Sequence, residues 1–330
     1  MNVLPLFTAP SVPAMGPDET ESPVGNWSNG IIPPNLPGKG LAQHPMLLVG
    51  ENYDKMYLIN DGKIIWTYQT GKSYEYDDVW MLSNGNILFS RMEYAAEITP
   101  DKKVVWRYDC EKAPGPKHTE IHICQPIGLD KVMIVVNGLP PHLKIINIKT
   151  DTTEVDHELP YTQPPNPKGI HGQFRRARVT ADGTYLVSVF GQGYVVEYDK
   201  NFNEIWKYKI KLPWSVIRLK NGNTLITDEA DWLTREVNRK SETVWEFNCK
   251  TDLPPEYQFT SAPQSCTRLV NGNTIFTSRG SNGKGPQLIE VTPDKKVVWV
   301  MQDWKDIAGV TAVQILDDPG IPEVPGQSEH

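Results

Sequence analysis

The sequence predicts an all-β fold, a six-bladed β-propeller, on three observations. A unit of short strands recurs along the chain, an Asn-Gly or Asp-Gly turn stands near the start of each copy, and a Val-Trp or Ile-Trp pair stands near its end. Asn-Gly and Asp-Gly favour tight hairpins because both central positions need positive φ. A repeat of about 40 residues made of four short strands is typical of a propeller blade. The four clearest copies are Ser83–Tyr108, Ala181–Tyr208, Lys220–Phe247 and Val270–Val300.

The blades follow in chain order once the two ends are joined. Three predicted strands near the N-terminus lack an inner strand, and one strand, Val310–Leu316, remains after the last repeat. We therefore expect the C-terminal strand to complete the N-terminal blade, which removes exposed sheet edges. Seven blades are the alternative, if residues 1–41 or the 158–172 loop hold further strands. The first-blade strands are Met46–Gly50, Lys55–Asn60 and Lys63–Tyr68, and later blades are expected at Val79–Tyr108, His118–His157, Gln173–Lys209, Trp214–Asn248 and Ser265–Gln302.

Five tryptophans stand on the predicted outermost strands, at Trp66, Trp106, Trp206, Trp245 and Trp299. A large flat side chain at a repeated position buries apolar area between neighbouring blades. We therefore interpret these residues as structural and look for the site elsewhere.

Composition and charge narrow the functional classes. The chain has 330 residues and a formal net charge of −7, which disfavours a general binder of nucleic-acid backbones. It contains no run of 18 apolar residues, so no membrane span is expected. The four cysteines lack zinc-finger spacing and are interpreted as structural thiols. We expect an extended tail at 1–41, a propeller at 42–318 and a C-terminal tail at 319–330.

The connections distinguish the two faces of the predicted propeller. Short, stereotyped turns lie on one face, and long, variable connections lie on the other, where binding residues usually collect. We expect an axial funnel on the variable face. The predicted ligand-binding residues there are Tyr76, Asp77, Glu120, Gln173, Trp214, Gln264, Arg91 and Arg279.

The segment His118-Thr-Glu120-Ile-His122 is the sharpest local pattern. In an extended strand, alternation places its three polar side chains on one face. Two histidines and a carboxylate can hold a divalent metal, or they can supply a general base and a proton relay. A polar inner strand wetted by channel water is the third interpretation.

The segment from His171 to Arg178 is the second cluster, and it carries three arginines. Alternation predicts that His171, Gln173 and Arg175 point one way and that Arg176 and Arg178 point the other. An arginine in a funnel binds a carboxylate, sulfate or phosphate through its planar fork. We predict His122, His171 and Arg175 as catalytic residues.

The blade endings GKIIWTY, KKVVWRY, NEIWKY and KKVVWVM resemble the repeat of the quinoprotein-like (PQQ-like) propellers, and NGNTLI or NGNTIF followed by a Val-Trp strand resembles their arylsulfotransferase-like branch. That resemblance implies a funnel histidine that carries a sulfuryl group with arginine support, for which His118, His122 and His171 are candidates. Several polysaccharide lyases also use propellers with His, Arg and Tyr in the funnel.

These patterns favour an extracytoplasmic propeller, periplasmic, cell-surface or secreted, although the N-terminus shows no signal peptide. It would bind, and process by lyase- or sulfotransferase-like chemistry, a small anionic glycan or sulfated ligand. The alternatives are a non-catalytic scaffold or protein-interaction module and a metal centre at His118, Glu120 and His122. We expect no organic cofactor and no nucleic-acid partner.

Overall fold

The computed structural model describes residues 43–51, 55–70, 75–112, 118–162, 169–281, 283–328 and 330. Its strands form six antiparallel sheets of four strands each, which is a six-bladed β-propeller. The predicted fold class and blade number are confirmed. The predicted tail at 1–41 lies outside the described residues. No helix in the described ranges is long and apolar enough to cross a membrane.

The strands are short, as the turn spacing predicts. In chain order they are β1 Met46–Glu51, β2 Lys55–Asn60, β3 Lys63–Gln69, β4 Asp78–Met81, β5 Ile87–Arg91, β6 Tyr94–Ile98, β7 Val104–Asp109, β8 Glu120–Ile127, β9 Lys131–Asn137, β10 His142–Asn147, β11 Thr152–Glu158, β12 Ala177–Val179, β13 Tyr185–Val189, β14 Tyr194–Tyr198, β15 Glu204–Lys209, β16 Pro213–Arg218, β17 Thr224–Asp228, β18 Leu233–Val237, β19 Thr243–Asn248, β20 Pro263–Arg268, β21 Thr274–Ser278, β22 Leu288–Val291, β23 Val297–Met301 and β24 Gly309–Ile315. Strand β24 pairs with β1 to give blade 1, β24-β1-β2-β3, and blades 2 to 6 each use four consecutive strands from β4 onward.

Blade 1 joins the two ends of the chain, as the sequence predicts. Strands β1 and β24 pair from Met46 with Ile315 to Glu51 with Gly309, with a register shift after Val49. The chains approach so closely there that a Cβ on Gly50 would lie 1.5 Å from the carbonyl oxygen of Gly309. Glycine is therefore required at position 50 for this junction.

Two of the five outer-strand tryptophans, Trp299 and Trp106, lie in buried hydrophobic cores, as expected. Trp299 belongs to a buried cluster with residues of β1 and β24, such as Leu48 and Val313. Trp106 lies in a second cluster with residues of β8 and β9, such as Cys124 and Ile134. Burial of these rings between adjacent blades stabilises the repeat.

In three blades, a glutamate carboxylate accepts a hydrogen bond from the asparagine that follows the turn glycine. Asn86, Asn223 and Asn273 follow the turn glycine, and their amides donate to glutamates on the third strand of the same blade. The acceptors are Glu97, Glu236 and Glu290, at 2.6, 2.7 and 2.7 Å respectively. This hydrogen bond ties the turn to the sheet in each of these blades.

The chain forms two compact units. Among the described residues, the end unit lies within 43–79, 247–319 and 330 and holds blades 1 and 6, and the middle unit lies within 80–246 and 320–328 and holds nearly all of blades 2 to 5. The first strand of blade 4, β12, begins at Ala177. The prediction that blade 4 starts at Gln173 is therefore wrong: in the described part of the connection, residues 169–176 form an irregular approach to the strand.

Candidate functional site

The middle unit gathers charged and imidazole side chains where β8 begins and along the segment before β12. His118 precedes β8, Glu120 is its first residue, and His122 follows two positions later. The register between β8 and β9 shifts between Ile121 and Ile123, so His122 is the extra residue of a β-bulge. Bulges re-aim side chains near sites, and here His122 faces the Glu120 carboxylate.

The Glu120 carboxylate is a shared acceptor for three histidines. Its Oε1 lies 2.8 Å from Nε2 of His118, and its Oε2 lies 3.0 Å from Nε2 of His122. The same Oε2 lies 2.9 Å from Nδ1 of His171, which is 51 residues further along the chain. The irregular segment before β12 thus brings His171 to the start of β8.

Arg175 donates a hydrogen bond to each of two of these histidines, His122 and His171. Its NH1 lies 3.0 Å from Nδ1 of His122, and its NH2 lies 2.7 Å from Nε2 of His171. The two imidazole rings meet edge to face, with centroids 5.0 Å apart. Glu120, His122, Arg175 and His171 therefore form a closed cycle of four hydrogen bonds.

Donor chemistry assigns the protons in this cycle. A guanidinium can only donate, so Nδ1 of His122 and Nε2 of His171 must accept with their lone pairs. A carboxylate can only accept, so the opposite nitrogens of both rings carry the hydrogens. Both imidazoles are consequently neutral, and the cycle holds one negative charge on Glu120 and one positive charge on Arg175.

The histidines of the cluster differ in how much of each side chain is exposed to solvent. The side chain of His122 is 0% exposed, whereas those of His118 and His171 are 38% and 42% exposed. Burial raises the pKa of the Glu120 carboxyl, but the hydrogen bonds from His122 and His171 outweigh burial and hold that pKa well below its ordinary value. Glu120 is therefore ionised, and His171 is the most exposed member of the cycle.

Two buried amides fix the backbone that carries His171 and Arg175. The Asn137 amide donates to the carbonyl oxygens of Ile170 and Phe174, at 3.1 and 3.2 Å. Gln173 accepts from the Gly138 N–H at 2.8 Å and donates to the Gly138 carbonyl at 3.0 Å. Together they clamp the 170–174 segment to the end of β9. Gln173 therefore turns toward Gly138 and makes this clamp, while His171 and Arg175 form the cycle.

Phe190 lies beside the cluster, and the sequence analysis missed it. The loop after β13 packs so tightly on the segment that a Cβ on Gly191 would lie 2.6 Å from the Gly172 carbonyl oxygen. The Phe190 ring centroid lies 5.6 Å from the Arg175 guanidinium carbon. In the sequence, only the glycine that follows Phe190 could have indicated this position. The need for that glycine is visible only in the structure, where Gly191 approaches the Gly172 carbonyl oxygen.

A metal would have to compete with Arg175 for the imidazoles. Nitrogens of His122 and His171 lie within 4.8 Å of each other, a spacing that suits two metal ligands. However, Arg175 donates to the lone pair of each ring. His118 and His122 approach opposite oxygens of Glu120, so that predicted trio places the carboxylate between the two rings. Its arrangement suits a carboxylate bound by imidazoles better than a metal.

The remaining predicted residues of the middle unit lie outside the cycle. Trp214 is buried, with the Arg176 guanidinium 5.3 Å from its ring. Arg178 lies over Trp80 instead, at 4.8 Å, so these two arginines occupy different environments. Arg91 is buried near Tyr94 and lies 3.5 Å from Glu93. Trp214 is therefore a packing residue in this structure rather than a rim aromatic.

The end unit holds the other four predicted ligand-binding residues. Tyr76, Asp77 and Gln264 are buried, and Arg279 pairs with Glu51 at 3.4 Å. Burial and the charge of Glu75 raise the pKa of Glu51 to about 7, although Arg279 opposes the shift. This unit therefore has an acidic group of its own that titrates near neutral pH.

Comparisons with known proteins show the fold alone. No protein-family model and no curated protein matches this chain. A solved protein of unknown function from Bacteroides caccae is similar, with a TM-score of 0.70 and 24% identity over 81% of this chain and 97% of that one. A catalytically inactive histidine-to-alanine variant of virginiamycin B lyase from Staphylococcus aureus, with quinupristin, is also similar, with a TM-score of 0.53 and 13% identity over 81% and 86%. The extracellular domain of a protein named as a hybrid two-component system, from B. thetaiotaomicron, has a TM-score of 0.51 and 13% identity over 81% and 36%.

Proposed function

We propose that the middle unit binds a small ligand with an acid group and performs acid–base chemistry on it at Glu120, His171 and Arg175. The ligand class we propose is an acidic or sulfated glycan, and the reaction is an elimination of the lyase type. One observation carries this proposal: the hydrogen-bond cycle holds an exposed neutral imidazole between an ionised carboxylate and a guanidinium.

His171 is the proposed base. Glu120 holds the Nδ1 hydrogen, which orients the ring and stabilises the imidazolium that forms when Nε2 takes a proton. In the elimination, Nε2 takes the proton from the carbon beside the acid group, and the released electron pair forms a C=C bond. The C–O bond to the leaving group breaks, and the leaving oxygen departs with the electron pair of the C–O bond and takes a proton from solvent.

Arg175 and His122 have supporting roles in this proposal. The guanidinium neutralises the acid group of the ligand, which makes the adjacent C–H more acidic. His122 is fully buried and contacts Glu120 and Arg175, so it is a positioning residue rather than the base. The sequence predicts both His122 and His171 as catalytic residues, and the greater exposure of His171 favours it as the base.

The structural comparisons are compatible with this proposal. Virginiamycin B lyase has a similar fold, and its variant in which alanine replaces one histidine is catalytically inactive. This supports the view that a propeller of this kind can carry histidine-dependent lyase chemistry. The similarity to an extracellular domain supports an extracytoplasmic location.

Sulfuryl transfer is the second candidate, favoured by the same exposed imidazole next to a guanidinium. Nε2 of His171 would attack the sulfur of an aryl sulfate, an N–S bond would form, the S–O bond would break, and the phenolate would leave with the electron pair of the S–O bond and take a proton from solvent. Arg175 would neutralise the sulfate oxygens. Release of a coloured phenol from an aryl sulfate distinguishes this reaction from elimination.

The test is a turnover screen of uronate-containing oligosaccharides and aryl sulfates. Elimination is followed by the ultraviolet absorbance of the new C=C bond beside the carboxylate. We expect His171→Ala and Glu120→Gln to lower turnover by about 10²–10⁴-fold. His142→Ala is the matched control, because His142 on β10 pairs at 2.6 Å with the exposed Asp156 of β11, outside the cluster. Ligand binding by calorimetry without any turnover would instead favour a binding module.

A further inference from the structure

We infer that Arg175 is a latch: it occupies the reactive nitrogen of His171, and the acid group of the ligand must draw the guanidinium away before that nitrogen can accept a proton. This inference rests on the proposed function, because it concerns how the same site is activated. It restricts the substrates to molecules whose acid group can engage Arg175.

The first step is a conflict over a single lone pair. Nε2 of a neutral imidazole has one lone pair, and in this structure NH2 of Arg175 donates to it at 2.7 Å. A nitrogen engaged in that way cannot accept a proton from a ligand at the same time. In the structure, therefore, Glu120 already orients the His171 ring, but Arg175 occupies its basic nitrogen.

The second step is the exchange of acceptors. A carboxylate or sulfate accepts two parallel N–H bonds from a guanidinium, and such charge-assisted bonds are stronger than bonds to a neutral nitrogen. NH1 and NH2 of Arg175 each donate one hydrogen to an imidazole nitrogen, and an anion that takes those two hydrogens in place of the imidazoles releases both rings. A neutral ligand offers no comparable acceptor and leaves the latch closed.

The third step is that release leaves the base in place. Glu120 still holds the opposite nitrogen of each ring. The clamps from Asn137 and Gln173 hold the backbone on both sides of His171. Movement of the Arg175 side chain therefore frees the nitrogen without displacing the imidazole.

The experiment follows the imidazole nitrogens of protein labelled with ¹⁵N-histidine by NMR. The probes are D-glucuronate, D-glucose as its uncharged counterpart, and inorganic sulfate, with chloride used to match ionic strength. We expect glucuronate and sulfate to move the His171 Nε2 resonance in a saturable way, and glucose to leave it unchanged. The His142 resonances serve as the internal control, because that ring pairs with Asp156 instead.

The variant Arg175→Met removes the donors while keeping a long side chain. We expect its His171 Nε2 resonance to start at the position that the wild-type protein reaches only with glucuronate, and its affinity for glucuronate to fall about tenfold or more. A normal His142 spectrum and cooperative unfolding show that the variant is folded. Arg175→Lys keeps the charge but loses the fork, and we expect an intermediate response.

The latch is overturned if glucose moves the His171 Nε2 resonance as glucuronate does, or if neither glucuronate nor sulfate moves it. It is also overturned if the folded variant Arg175→Met or Arg175→Lys leaves that resonance at the position it has in the unliganded wild-type protein. Turnover plays no part in these measurements. A protein that shows the shift but processes no uronate keeps the latch and loses the proposed reaction. A protein that processes uronates without the shift keeps the reaction and loses the latch.

Discussion

His44 in the end unit and His171 in the middle unit both bind a buried glutamate, yet their chemistry differs. His44 contacts Glu290 through Nε2 at 3.0 Å and Asp317 through Nδ1 at 3.2 Å. His171 contacts Glu120 through Nδ1 and Arg175 through Nε2. The first ring lies between two acceptors, and the second lies between an acceptor and a donor.

The group on the second nitrogen decides the charge of each ring. Burial lowers the pKa of His44, but its bonds to Asp317 and Glu290 outweigh burial and raise that pKa to about 9. His44 is therefore a cation that joins the start of the described chain to blade 6 and to the segment after β24. His171 is neutral because Arg175 needs its lone pair. One arrangement stabilises the fold, and the other keeps the imidazole neutral, with its basic nitrogen held by Arg175.

The largest difference between the two clusters is expected when the glutamate of each is replaced by alanine and the loss in free energy of unfolding is compared. Glu120→Ala removes the acceptor of three imidazoles and the only negative charge of the cycle, so we expect a loss of about 3–5 kcal/mol in the free energy of unfolding. Glu290→Ala leaves His44 paired with Asp317, which is 47% exposed, and we expect about 1–3 kcal/mol. Urea denaturation at neutral pH measures both. Equal losses would show that the two clusters are energetically alike.

Alkaline pH should weaken the end unit through His44. The folded pKa is about 9 and the ordinary value is 6.5, so the folded protein binds this proton more tightly than the unfolded chain. The stabilisation is complete below pH 6.5 and is lost as the pH rises toward 9 and beyond. Urea midpoints measured across this range should fall less in His44→Gln than in the wild-type protein. Identical slopes would count against a charged His44.

Low pH should destabilise the folded protein through Glu120, whereas high pH destabilises it through His44. Its folded pKa lies below the ordinary value of 4.5, so its contribution is present above that pH and is lost as the pH falls below it. We expect Glu120→Gln to lose less stability than the wild-type protein on acidification from pH 4.5 downward. The midpoint of urea unfolding is again the measurement, and a steeper acid loss in the variant would contradict the assignment.

The smallest expected effect concerns the backbone clamp. Asn137→Asp replaces the donor to the Ile170 and Phe174 carbonyls with an acceptor, and we expect amide hydrogens of 170–174 to exchange about tenfold faster. Asn147→Asp on β10 is the matched control, because its Oδ1 accepts from the N–H groups of Lys149 and Thr150 and remains an acceptor. Equal exchange in both variants would show that Asn137 does not hold the segment.

The site was only partly predictable, for local reasons. His118, Glu120 and His122 follow one another closely, so their proximity could be predicted from the segment itself. Of the split expected for His171 to Arg178, His171 and Arg175 do lie together, but Gln173 turns elsewhere, because alternation applies only within a strand and β12 begins at Ala177. The roles of Asn137 and Phe190 could not be predicted, because they depend on backbone that lies far away in the sequence.

Local chemistry in the chain was enough to determine the blades: Asn-Gly and Asp-Gly turns set the hairpins, and the three strands left at one end with the single strand left at the other required blade 1 to be shared. Only the tertiary structure decided which residues meet His171 and whether that ring is charged. Turn and strand preferences act between neighbours, whereas a proton's position depends on every donor and acceptor that folding brings to one imidazole.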